Sequence, residues 1–236
     1  MSLLNISDDP LFTWQGRAQK IVQMIKLPLV ARTMGLTENE IAERLGPIAE
    51  YQRLFKEIFP VWKDLQGPVP TDYMAVGFAL DAYISTIRSP RSRFDQFVAG
   101  NRELFNQEEQ DGFNVFRTKG GCAQCHSGWR LSDGKVYDIG LEFPPDDMEL
   151  YQGSHAFKAV GLRSIADRPP YMHDGRFKTL EEVIDFYDRG GDVVRAERSE
   201  KIRKLELSRA EKDALLAFLR ALSEPPLKIE YPILPR

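Results

Sequence analysis

Cysteine is scarce in this sequence: Cys122 and Cys125 are the only two among 236 residues. A disulfide-stapled scaffold needs several pairs, and a structural zinc site needs four nitrogen or sulfur ligands, usually as two spaced pairs. The only histidines are His126, His155 and His173, so material for a second ligand pair is thin. Long apolar runs are missing as well, and none approaches the ~20 residues that cross a bilayer. Charge bias is absent: 32 basic and 35 acidic residues are interspersed for a net charge of -3, which excludes a nucleic-acid footprint or a polybasic membrane patch. Asp8 and Asp9 stand where a signal peptide would place its hydrophobic centre, so nothing in the first 20 residues addresses the chain for export. There is no internal repeat, low-complexity tract or strand-rich region. What is present is 42% hydrophobic residues, enough to pack one large domain or two small ones.

The two cysteines sit in Cys122-Ala123-Gln124-Cys125-His126, a C-x-x-C-H run. That spacing is the attachment signature of c-type haem, in which two thiols add to the porphyrin edge and the adjacent imidazole ligates the iron. A redox dithiol, half a zinc site or a disulfide could use the same cysteines. Each lacks its company: a thioredoxin-like dithiol sits between a strand and a helix, whereas the residues before Cys122 read as a helix ended by Gly120-Gly121. Covalent haem is attached outside the cytoplasm, so the motif implies a periplasmic protein whose leader has been removed, or a fragment of a longer precursor.

Helical patterns dominate on both sides of the motif. Thr37 and Glu40 form a capping box, and apolar residues from Ile41 to Ile58 predict a helix or helix pair over 38–59, interrupted at Gly46-Pro47. Thr71 opens a second periodic stretch through Met74, Phe78, Tyr83 and Ile87 that ends near Ser89-Pro90. Asn106 with Glu109, Thr179 with Glu182 and Ser208 with Glu211 are further boxes. They predict a helix carrying Phe113 and Phe116, a short helix to Tyr187, and a last helix striped by Ala214, Leu215, Phe218, Leu219 and Leu222, stopped by Pro225-Pro226. Residues 134 to 170, rich in Gly, Pro and Asp, read as loop around a cofactor. The expectation is a mainly α fold: residues 1–100 form an N-terminal helical segment packing on a cytochrome c-like haem domain at 101–236.

Three further segments carry a resemblance. The run from Phe157 to Ser164, the run Pro170-Tyr171-Met172-His173-Asp174-Gly175-Arg176-Phe177-Lys178-Thr179, and Trp14-Gln15-Gly16-Arg17-Ala18 join the haem motif in one order. This set resembles the C-terminal half of bacterial di-haem cytochrome c peroxidases and of MauG-like proteins, the Trp14 segment being similar to the family's FWDGRA. The resemblance implies that Cys122 and Cys125 make the thioether bonds, that His126 is the proximal ligand, and that Trp14 matches a tryptophan lying between two haems. The family carries its first C-x-x-C-H in a domain before FWDGRA, whereas about a dozen residues precede Trp14 here. The glutamate of the family's EMG-like motif is replaced at the matching Thr33-Met34-Gly35.

The candidates for a second axial ligand are Met172, His173 and Tyr187. The resemblance favours Tyr187, where the peroxidases supply methionine and MauG supplies tyrosine, with Met172 as the alternative. His173 and Asp174 otherwise serve to fix the HDG turn, and Trp14 or Tyr187 could simply anchor the N-terminal segment or cover the haem edge. Arg163 could fork onto a haem propionate or bond loop carbonyls. The resemblance further implies calcium, through backbone carbonyls near Arg168 and Pro170, although the upstream asparagine of that site has no counterpart here. The implied function is transfer of electrons through the covalent haem toward peroxide reduction at a second haem not in this chain. Its partners would be a small redox protein (cytochrome c or cupredoxin) as donor, a second haem domain and a second copy as homodimer. The alternative is a stand-alone electron carrier or a haem-based redox or ligand sensor.

Overall fold

The computed structural model describes residues 2–30, 34–62, 66–143, 153–223 and 233–235, and these are mainly helical. Contacts divide the chain into two units, one of residues 1–17 with 88–226 and one of residues 18–87 with 227–236. The division therefore falls at 17/18 and 87/88 rather than at residue 100, so the first 17 residues belong with the unit that carries the C-x-x-C-H motif.

Among the described residues the smaller unit holds four α-helices: α1 (Ile21–Val30), α2 (Glu38–Leu45), α3 (Ala49–Ile58) and α4 (Tyr73–Ser85). The Thr37/Glu40 box starts α2, with the Glu40 amide donating to Thr37 Oγ1 and the Thr37 amide donating to Glu40. Helices α2 and α3 are the expected pair, broken at Gly46-Pro47 because proline cannot continue the amide ladder. Asp72 rather than Thr71 caps α4, accepting from the Met74 and Ala75 amides at 2.9 Å. Ile21, Val22 and Ile25 of α1 are buried, and the Val22 side chain lies against Gly77 of α4. The Thr33 position considered above lies outside the described residues, while Met34 is exposed.

The larger unit is built on α5 (Arg93–Val98), α6 (Gln107–Arg117), α7 (Leu180–Asp188) and α8 (Arg209–Ala221). The Asn106/Glu109, Thr179/Glu182 and Ser208/Glu211 boxes cap α6, α7 and α8, and the Pro225-Pro226 stop lies outside the described residues. An aromatic cluster fills the interior. Phe218 of α8 is 0% exposed and meets Phe116 at 5.1 Å, Phe113 at 5.3 Å and Phe94 at 5.6 Å between ring centroids. Phe97 stacks on Phe105 at 4.5 Å. Helices α6 and α8 cross where Gly112 leaves no side chain, bringing their backbones into contact beside Ala214.

Residues 134–170 are less purely loop than their composition suggests. Strand β1 (Val136–Asp138) pairs antiparallel with β2 (Ala156–Lys158), with Tyr137 opposite Phe157, and a short 3-10 turn spans Ile165–Asp167. Strands of three residues carry too short an alternation to stand out from a loop.

Candidate functional site

The C-x-x-C-H motif follows α6 directly. Gly121, at φ 65°, turns the chain out of the helix into a 3-10 turn over Cys122–Gln124, a conformation that disfavours any residue with a Cβ. The His126 amide donates to the Cys122 carbonyl at 2.9 Å, and the Asp133 amide donates to the Cys125 carbonyl at 2.8 Å. The five-residue motif is thus pinned at both ends by its own backbone.

The His126 ring is oriented by two carbonyls. Its Nδ1 lies 3.1 Å from both Leu131 O and Val160 O. Two acceptors at one ring nitrogen require that nitrogen to carry the proton, which leaves the lone pair on Nε2. Burial lowers the imidazole pKa below its ordinary value, outweighing the carbonyl bonds that oppose it, so the ring is neutral near pH 7. A neutral imidazole with its outer N–H held by backbone oxygen is the form that binds a metal.

Cys122, Cys125 and His126 line one cavity of about 520 Å³. That volume falls within the range of small-molecule and cofactor sites, ~300–1,000 Å³. Its walls include Phe116, Leu180, Val183, Ile184, Leu215 and Leu219 from α6, α7 and α8, with Trp14, Phe157, Met172, His173 and Tyr187. The donor set fits a c-type haem: two thiols and an oriented imidazole in the lining of a mainly apolar cavity.

The competing readings of the cysteines fit less well. Burial pushes the Cys122 thiol up to about 12 and the Cys125 thiol above its ordinary value, opposite to the depressed pKa of a reactive dithiol. Among the described residues no group of three or more His, Cys, Asp or Glu side chains is placed to hold a metal ion, which argues against zinc.

All three candidates for a second axial ligand, Met172, His173 and Tyr187, line the cavity. Tyr187, on α7, has its ring edge-on to Phe186 at 5.1 Å, and burial raises its phenol pKa above the ordinary value. Met172 lines the wall in the left-handed region at φ 68°, a conformation uncommon outside glycine. His173 stacks on Phe157 at 3.8 Å with an interplanar angle of 16° and stands edge-on to Trp14 at 6.4 Å. In the HDG turn Asp174 accepts from Arg176 Nε at 2.8 Å. Trp14 is tied to β2 where the Lys158 amide donates to its carbonyl at 2.7 Å.

Arg163 does not line the cavity. Its guanidinium is buried, with Nη1 donating to Asp95 Oδ2 at 2.8 Å and Nε donating to the Trp129 carbonyl at 2.7 Å, so of its two expected roles the structure gives it the loop-bonding one, plus an ion pair. Burial alone would raise the Asp95 carboxyl, but hydrogen bonds from Arg163 and Ser92 outweigh it and hold the pKa below the ordinary 3.8. A depressed carboxyl contributes stability that is complete above its unfolded value and is lost as pH falls through the lower folded one. Asp95→Asn is therefore expected to cost about 1–2 kcal/mol at pH 7, discounted for the partial exposure of the carboxylate. Chemical denaturation at pH 7 and pH 3 checks this, the gap between the two proteins narrowing at the lower pH; an equal gap at both would refute it.

Lys158 and Arg168 also line the cavity, and sequence reasoning gave neither side chain a role, naming Arg168 only for a backbone carbonyl. The signal was available in part, since Lys158 is the charged position of an otherwise buried strand end.

The family described as di-haem cytochrome c peroxidase matches residues 1–103 of this chain. The methylamine utilization protein MauG of Methylorubrum extorquens is 32% identical over 243 residues, covering 99% of this chain and 66% of the relative. MauG of Methylophilus methylotrophus is 33% identical over 233 residues, covering 94% of this chain and 67% of the relative. The chain thus spans about two thirds of the length of these curated relatives. A crystal structure of a MauG-like protein associated with microbial copper homeostasis superposes with a TM-score of 0.80 at 26% identity, covering 94% of this chain and 74% of that one. The expected mainly α, cytochrome c-like fold is the fold of these proteins. With a relative one third identical matched along nearly all of this sequence, the chain belongs to the family of di-haem cytochrome c peroxidases and MauG proteins.

Proposed function

We propose that this chain holds a c-type haem covalently through Cys122 and Cys125, with His126 as its proximal ligand, and serves the electron-relay part of a periplasmic peroxidase- or MauG-like oxidoreductase. The single observation that carries the reading is the orientation of His126, whose Nδ1–H is held by Leu131 O and Val160 O so that Nε2 is the free donor on a cavity-lining ring. The haem, when bound, supplies a one-electron iron couple. The chain's own residues do the rest. The thiols fix the cofactor's position, the apolar side chains of α7 and α8 exclude water from the cavity, and the carbonyls behind His126 keep its ring from rotating.

In the whole protein a small redox protein, a cytochrome c or a cupredoxin, gives up two electrons. A second haem would supply the site at which hydrogen peroxide, on taking up those two electrons and two protons, becomes two waters. Trp14, on the cavity wall and within ring contact of His173, is the proposed relay residue toward that second centre. Assembly with a second haem domain or a second copy belongs to the same reading. Among the described residues no helix is long and apolar enough to cross a membrane.

Tyr187 is the proposed distal ligand. Ferric iron is a strong Lewis acid and offsets the burial that otherwise keeps the phenol protonated. Tyr187→Phe in the haem-loaded protein is expected to change the ferric absorption spectrum and raise the reduction potential, because anionic oxygen favours the oxidised iron. An unchanged spectrum in that variant, together with a change in Met172→Leu, moves the assignment to Met172. Oxidation of a reduced donor by peroxide tests the enzymatic half of the reading. A second reading, a sensor that exchanges its distal ligand, draws on the presence of both Tyr187 and the strained Met172 in the lining of the cavity. Carbon monoxide binding to the reduced isolated chain favours the sensor, and its exclusion favours the relay.

A further inference from the structure

We propose that Lys158 and Arg168 form the anionic-group end of the cavity and would take the two propionate carboxylates of the haem. The inference rests on the haem reading and adds which side chains receive the cofactor's charge.

Four cations gather between the N-terminal loop and residues 158–168: Arg130, Lys158, Arg163 and Arg168. Two carboxylates face them. Asp95 is taken by Arg163, and Asp9 is shared by Arg130 and Lys158. Asp8 is occupied by Arg88 at 2.8 Å, and Asp167 is exposed. Arg168 forms no ion pair among the described residues. Its Nε donates to the Ser164 carbonyl at 3.1 Å and its Nη2 to the carbonyls of Gly161 and Arg163. Among the described residues two positive charges are therefore in surplus within a region largely withdrawn from water.

Lys158 Nζ, besides pairing with Asp9, donates to the Leu11 carbonyl at 3.0 Å. Lys158 and Arg168 line the cavity, whereas Arg130 and Arg163 do not. Lys158 is 5% exposed, and leaving an ammonium there beside a second cation is unfavourable unless further negative charge arrives. Burial accordingly draws the Lys158 ammonium down to about 8 and the Arg168 guanidinium below its ordinary value, the direction an adjoining anion would reverse. A ligand with an apolar body and two carboxylates at one end matches both the apolar walls and the charge, and the planar guanidinium suits a two-point carboxylate contact.

The test uses the haem-loaded protein matured in an export-competent host, as wild type, Arg168→Gln, Arg168→Lys and Lys158→Met. Covalent haem is measured first, then the midpoint potential and the propionate bending bands in resonance Raman spectra. A cation near the iron favours the reduced form, so Arg168→Gln is expected to shift the equilibrium about tenfold toward ferric, a fall of about 59 mV for one electron. Arg168→Lys should stay near wild type, and the propionate bands should move in the Gln and Met variants. Unchanged potential and bands in both charge-removing variants overturn the proposal. If those variants do not fold, the wild-type band position decides: carboxylates bonded to cations support it and freely hydrated ones overturn it. Wild type emerging without covalent haem would instead refute the haem reading, and this inference with it.

Discussion

Changing Cys122 and Cys125 together to serine is expected to leave no haem attached after denaturation, while each single change leaves one thioether in place. A serine hydroxyl occupies nearly the volume of the thiol and keeps the cavity intact, yet it does not add to the porphyrin edge as sulfur does. The geometry also bears on how attachment occurs. Because burial pushes the Cys122 thiol up to about 12, hardly any of it is thiolate near neutral pH, and thiolate is the reactive form. Spontaneous attachment to the folded protein should thus be slow, and the bond should form before the cavity closes, in a compartment equipped for haem attachment. Intact mass and haem staining of denatured protein decide both points. Tethered haem in the double variant would remove the basis of the site, and rapid attachment to the folded wild-type chain without maturation factors would refute the inferred order of attachment and closure.

How much of this was legible in the sequence differs between the site and the frame around it. The thiols and the imidazole were readable because their chemistry fixes their spacing, and four helices announced themselves through capping boxes at Thr37, Asn106, Thr179 and Ser208. Helix α5 carries the same signature, Ser92 with Asp95, and its six residues were too few to show an apolar stripe beside it. Helix α1 has no such box and contains Pro28, which reads as a breaker although the helix continues across it. The assignment of residues 1–17 to the haem unit depends on ion pairs between distant positions. Asp9 reaches Arg130 and Lys158, and nothing local to any of the three reveals the others. The same holds for Arg163 and Asp95, whose pairing directs Arg163 away from the cavity and leaves that wall to Lys158 and Arg168.

The packing of α6 on α8 is where a single change should unfold the protein most readily. Phe218 is fully enclosed by Phe94, Phe113 and Phe116, and truncating it to alanine is expected to cost about 3–5 kcal/mol, because rings held by one another cannot collapse into the space left. Gly112→Ala probes the same interface from the other side, with two effects of opposite sign. Helix propensity alone would make alanine better than glycine by about 1 kcal/mol. The new Cβ, however, would fall onto the Ala214 carbonyl oxygen and within 2.8 Å of Phe218 Cβ, and neither belongs to a flexible side-chain end. Helices α6 and α8 would have to separate, and overpacking of this kind typically costs about 1–3 kcal/mol, so the steric effect wins. Because α6 runs straight into Gly121 and Cys122, the separation should also widen the cavity and shift the haem spectrum, which loss of stability alone would not do. Denaturant midpoints and ferric spectra of the haem-loaded variants test the pair, and a Gly112→Ala protein with a raised midpoint and an unaltered spectrum would mean that the two helices are not in backbone contact.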